Sequence, residues 1–148
     1  MSKKRFCTFI VDGLFFGVPV ENVQEAIRHE QIITPIPLAH PAIEGLMNLR
    51  GRIVTAIDLR HRLGLQTRHG AHPMHVIIQS EDSLISLLVD ELNDVMEIDD
   101  AIFEAPPETL TGATRELVKG AYKLESQLLF ILNVDEAITV SGHTTGTY

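Results

Sequence analysis

The sequence predicts an all-β protein, a barrel or sandwich with little helix. Three observations predict it. Short apolar runs recur along the chain, roughly nine or ten of them. Gly, Pro, Asp and Ser break these runs at short intervals. Several breaks have the form of a tight hairpin turn, most clearly Asp12-Gly13, where glycine tolerates the positive φ the turn needs. A single barrel of SH3 size uses about half of these strands, so two small barrels packed together fit the count better.

Taken in order, "RFCTFIVDGLFFGVPV" is the first hairpin. In "VENVQEAIRH", Val20, Val23 and Ile27 stand three and four apart, which suits a short helix or a turn leading into a strand. "EQIITPIPLAHPA" carries Pro35, Pro37 and Pro41 and reads as an extended connection. "GLMNLRGRIVTAID" is a second hairpin turning near Gly51, followed by a helical turn in "DLRHRLGL". "QTRHGAHPM" is a polar loop. "HVIIQS" and "LISLLVD" form a third hairpin across "EDS". "VMEIDDAIFEAPPETL" is part strand and part loop, ended by Pro106-Pro107. "LVKGAYKLE" and "LLFILNV" make a last hairpin around Ser126-Gln127, "VDEAITV" a closing helical turn, and "SGHTTGTY" a flexible polar tail.

With a net charge of -8, the chain is poorly suited to nucleic acid or anionic membranes, where Lys and Arg supply the attraction. At 5% aromatic residues and no Trp, a base-stacking platform is also disfavoured. No apolar run approaches the roughly 20 residues of a membrane helix, and the N-terminus has no secretory signal pattern. Cys7 is the only cysteine, so no internal disulfide forms and a reducing cytoplasm is the simplest compartment. In the first strand it reads as a small buried apolar residue. Arg50, Arg52, Arg60, Arg62 and Arg68 crowd the middle of this acidic chain, and the plain reading is a solvated face.

Few residue patterns suggest catalysis. His69, His72 and His75 stand three apart and have the chemistry of zinc or nickel ligands. Gly70 and Pro73 break any helix that would stack them, so a solvated loop is the better reading. Asp99-Asp100 reads as a solvated loop as well, because paired carboxylates become acid and base only in a cleft. There is no G-x-S-x-G, C-x-x-C, H-E-x-x-H or phosphate loop. Neither a cofactor nor a metal is expected.

Asn48, Arg50 and Asp58 are the polar residues that an apolar hairpin does not need. Gly45, inside the same run, suggests a bulge or the close approach of another chain. Arg50 offers a rigid fork of donors. It either pins a loop by pairing with Asp58 or another acid, or stands at the edge of an apolar groove with Asn48 capping exposed backbone. The residues alone leave both open.

These same residues carry a resemblance. "IEGLMNLRGRIVTAIDLRHRLGL" is similar to the signature of CheW-like domains, with Asn-Leu-Arg-Gly before an apolar strand and Ile-Asp-Leu-Arg before a Leu-Gly pair. "FIVDGLFFGVPVENVQEAI" resembles the family's opening hairpin and Val-x-Glu element. "LISLLVDELNDVMEI" and "VKGAYKLESQLLFILNVDEAI" resemble its later segments, so the likeness covers almost the whole chain. It departs at Thr55, where the family usually has Pro, and at Ser86, where Gly is common.

The resemblance implies two intertwined SH3-like five-stranded β-barrels with a shared hydrophobic core. It implies one domain over residues 1–140, with a middle lobe over roughly 40–90, the other lobe from the terminal segments, and 141–148 as tail. It implies no catalysis, but a chemotaxis adaptor coupling chemoreceptors to the histidine kinase CheA in the cytoplasm. One face would dock the receptor's cytoplasmic tip and others the kinase's regulatory domain, with self-association in arrays as in other family members. The absence of receiver and kinase domains favours a stand-alone coupling protein, in a flagellar or a parallel chemosensory-like pathway such as twitching motility or cyclic dinucleotide signalling. Carried over by motif, the receptor-binding residues are Val23, Gly45, Asn48, Leu49, Arg50, Leu92, Val95 and Gly120. The helix-in-groove mode suits such a set, with an apolar floor and polar edges. Asp58 is then left as a bracing residue.

Overall fold

The first hairpin forms where Asp12-Gly13 places it. Strands β1 (Lys3–Val11) and β2 (Leu14–Pro19) pair antiparallel, Val11 opposite Leu14. Both turn residues take positive φ, +52° and +76°. The structure is a computed structural model and describes residues 3–66, 73–99, 103–140 and the backbone of 143–144.

A 3-10 turn (Val20–Asn22) then leads into strand β3 (Val23–Ile27), so the three-four spacing marks a turn and a strand rather than a helix. After the proline connection come β4 (Ile43–Leu49) and β5 (Arg52–Asp58), joined at Arg50-Gly51. Helix α1 (Leu59–Arg62) follows, then the hairpin β6 (Met74–Ser80) and β7 (Ser83–Val89). A single residue, Asp90, separates β7 from β8 (Glu91–Asp99). The chain closes with β9 (Phe103–Glu104), α2 (Gly112–Glu116), β10 (Val118–Lys123), β11 (Leu128–Leu132) and α3 (Val134–Ile138). A small pair, β12 (Thr139–Val140) with β13 (His143–Thr144), ends the described chain. Helix α2 has no counterpart in the sequence reading.

Two mixed sheets result. One has the order β8-β1-β2-β11-β10-β9, the other β3-β6-β7-β5-β4. Each is knitted by one parallel pairing, β2 with β11 and β5 with β7. The five-stranded sheet is built from the middle of the chain and interrupts the six-stranded one, which resumes at β8. In the six-stranded sheet β9 is only two residues long. This is the all-β, intertwined double-lobed arrangement that the resemblance implies.

Three apolar clusters follow from strand alternation. Phe9, Val11 and Phe16 of one sheet meet Ile57, Val76, Ile85 and Leu87 of the other in a shared core. The opposite faces pack within each lobe: Phe6, Phe15, Tyr122, Leu129 and Ile131 in one, Met47, Leu49, Val54, Ile77 and Leu84 in the other. Strands buried on both faces read as continuous apolar runs. That explains why "LFFGV" and "LISLLV" lack the polar alternation of a one-sided sheet.

Candidate docking surface

The β4–β5 turn builds the most exposed part of the predicted site. Arg50 and Gly51 occupy its two central positions with φ of +49° and +85°, as a primed hairpin turn requires. Glycine tolerates this; Arg50 does so at a conformational cost, a pattern that favours functional positions. The side-chain Oδ1 of Asn48 accepts from the Gly51 N–H at 2.9 Å, so Asn48 caps the backbone of its own turn.

Arg50 does not reach Asp58. Its Nη1 and Nη2 donate to Oε1 and Oε2 of Glu25, both at 2.8 Å. Glu25 lies in β3 and Arg50 follows β4, the two edges of the five-stranded sheet. The bidentate pair therefore clips the two outermost strands of that sheet together. The hydrogen bond from Arg50, then its charge, holds the Glu25 carboxyl below the usual carboxylate range; the pair raises the Arg50 guanidinium in turn. The Arg50 side chain remains 70% exposed, available to another surface while paired.

Asp58 does brace the fold, as expected, by a different contact. Its Oδ1 accepts from the Arg60 N–H at 3.0 Å and caps α1. Val23 opens β3 and packs against the shared core, as does Leu92 of β8. Val95, also on β8, is half exposed and pairs with Cys7. Between Cys7 and Phe9 the β1–β8 register shifts, and the Thr8 hydroxyl donates to the Asp94 carbonyl there. That bond, invisible in the sequence, fixes the backbone just before Val95.

The remaining three residues sit beneath a surface. Leu49 is buried in the five-stranded lobe's own core. Gly45 is buried at a bulge with φ of +150°, and a Cβ there would meet the Thr34 carbonyl oxygen at 2.1 Å. Its close neighbour is the chain's own proline connection, through the Thr34–Leu46 bridge. Gly120 is buried too, and a Cβ would meet the Glu104 carbonyl oxygen and Phe103 at 2.5 Å. Strand β10 lies near the far end of the sheet order from β8.

The arginine-rich stretch is only partly a solvated face. Arg52 is exposed and Arg68 lies outside the described residues. Arg60 is buried, and Arg62 donates to the carbonyls of Ala137 and Glu136 at 3.1 and 2.6 Å, closing the end of α3. His75 is buried in β6, its Nδ1 2.9 Å from the Ser86 hydroxyl, and burial pushes its pKa down. His69 and His72 lie outside the described residues. Among the described residues no cluster of three His, Cys, Asp or Glu is placed to hold a metal. Asp99 ends strand β8 opposite Lys3 rather than sitting in a loop, and Asp100 is not described. Cys7 is half-buried in β1, and burial raises its thiol pKa.

Comparison with known proteins agrees with this architecture. The chain is 30% identical over 136 residues to the chemotaxis protein CheW of Bacillus subtilis, covering 91% of this chain and 86% of that protein. It is 27% identical to the chemotaxis protein CheW of Treponema pallidum, covering 88% and 79%. Protein PilI of Pseudomonas aeruginosa is 26% identical, with 82% and 68% covered. The crystal structure of the scaffolding protein TtCheW from Thermoanaerobacter tengcongensis superposes with a TM-score of 0.86 at 27% identity, covering 98% of this chain and 99% of that one. The model of the CheW-like domain matches residues 5–141, and the chain belongs to that family of chemotaxis adaptors.

Proposed function

We propose that the chain is a non-catalytic cytoplasmic adaptor that couples the tip of chemoreceptors to the regulatory domain of the histidine kinase CheA. The observation that carries this reading is the family match over residues 5–141 together with the fold shared end to end with a scaffolding protein. Among the described residues no helix is long and apolar enough to cross a membrane. Residues 1–140 act as one domain of two lobes, and β3 joins the middle lobe although it precedes residue 40.

In this reading the receptor's helical hairpin lays an apolar stripe along Val23, Leu92 and Val95, with Asn48 and Arg50 at the rim. Leu49 fills the core under the hairpin and Gly45 lets the proline connection pack closely against it, while Gly120 packs against β9, away from β8 in the sheet order. The kinase meets another face.

The test is Arg50→Glu. A second acid beside Glu25 repels it and reverses the charge at the rim, which weakens binding of a receptor hairpin fragment by about tenfold or more. The fold is retained, because Arg50 is exposed. Undiminished binding by a folded variant overturns the site. The relative named PilI favours a second reading, the same adaptor role in a parallel pathway. The genes beside this one, for a flagellar or another set of partners, decide between them.

A further inference from the structure

We propose that Arg60 is a positioning residue for the docking groove: clasped by Asp90 and Asp12, it sets the β8 edge against the five-stranded lobe. The inference rests on the reading that β8 and the β4–β5 hairpin form that groove. Arg60 belongs to α1, which Asp58 caps directly onto the end of β5. Its guanidinium is therefore an extension of the five-stranded sheet. Nε and Nη2 donate to Oδ1 and Oδ2 of Asp90 at 2.9 and 2.7 Å. Nη2 also reaches Oδ1 of Asp12 at 3.4 Å, and Nη1 donates to the Gln66 carbonyl at 2.9 Å.

The two carboxylates stand at the lobe boundary. Asp12 is in the β1–β2 turn of the six-stranded sheet. Asp90 is the single residue by which the chain passes from β7 in one sheet to β8 in the other. Asp90 is further fixed by its own N–H, which donates to the Ile10 carbonyl at 3.1 Å, and by the Asp12 N–H, which donates to its Oδ2 at 2.7 Å. Leu92 lies two residues beyond and Val95 five. The direction in which β8 leaves Asp90 thus fixes where both side chains stand.

The shared core holds the two lobes together, but the hydrophobic effect itself is non-directional. A planar fork making two parallel bonds to one carboxylate is not. Only 7% of the Arg60 side chain is exposed, so water competes weakly for those bonds. A lysine would keep the charge and lose the fork.

The experiment compares the full chain with Arg60→Lys, in a Cys7→Ser background carrying spin labels at Val95→Cys and Ile53→Cys. Both label positions are exposed, one on each side of the boundary. With melting still cooperative, Arg60→Lys is expected to broaden or shift the inter-label distance distribution. Without labels, it is expected to weaken binding of a receptor hairpin fragment by about tenfold. A folded Arg60→Lys protein with the original distribution overturns the proposal. If Arg60→Lys does not fold, Asp12→Gly, which removes only the longest arm of the clasp and suits the positive φ of that turn, is read in the same way. An altered distribution with unchanged binding upholds the clasp and overturns the assignment of the groove.

Discussion

Single polar residues decide how the exposed hairpin is held, because an apolar hairpin can hold polar groups only with partners. Arg50 sits in a backbone conformation that suits glycine, and Glu25 receives both arms of its fork. Because the pair depresses the Glu25 pKa, its contribution is present above the ordinary carboxylate value of 4.5 and is lost as pH falls through the lower folded value. An NMR titration of the Glu25 carboxyl should give a midpoint below 4.5 that returns toward it in Arg50→Gln. His75 acts in a different window. Burial lowers its pKa from 6.5, so the unfolded chain takes up a proton that the folded chain refuses. Stability is full above 6.5 and declines as pH falls from there toward the folded value, an effect His75→Gln should abolish in denaturant melts. Ser86 supplies the buried hydroxyl beside that ring. Ser86→Ala should cost about 1–3 kcal/mol by leaving the imidazole nitrogen unpartnered, measured by chemical denaturation.

At the scale of elements, hairpins were the most legible feature. Asp12-Gly13 and Arg50-Gly51 announce their turns because positive φ restricts which residues stand there. The 3-10 turn before β3 shows the limit: three apolar residues cannot distinguish a short helix from a turn and a strand that packs one side. Helix α2, in "GATRE", has no apolar stripe, and its Thr114 hydroxyl is instead bonded to the Leu63 carbonyl far along the chain. The parallel pairs β2–β11 and β5–β7 also leave no local trace, since nothing in either strand names a partner so far away. Gly45 was legible as a bulge or a close approach, but the approaching chain is its own residue Thr34. Gly45→Ala should therefore destabilise the fold by about 2–3 kcal/mol, through clash and backbone strain, before any partner is present. A thermal melt of the isolated protein checks this; an unchanged melt would mean that the proline connection yields easily. Thr55 keeps the N–H that a proline would lack, and β5 pairs without a break along β7 on that side.

At the scale of the whole molecule, two lobes share one core while the chain crosses between them at the β2–β3 and β7–β8 connections. The candidate site was half legible. Its motif residues pointed to one hairpin, while the partners that hold them, Glu25, Thr8 and the Arg60–Asp90 clasp, lie far off in sequence and emerge only with the fold. The arrangement makes physical sense of an adaptor: two lobes on a shared core, presenting several faces. An adaptor of this kind physically links receptor and kinase, and that link can be assayed. The most direct measurement is recruitment of purified CheA to immobilised receptor cytoplasmic fragments, with and without this protein. CheA should be retained when the protein is added and lost when it is omitted or replaced by folded Arg50→Glu. CheA retention that is the same with and without the protein would contradict it.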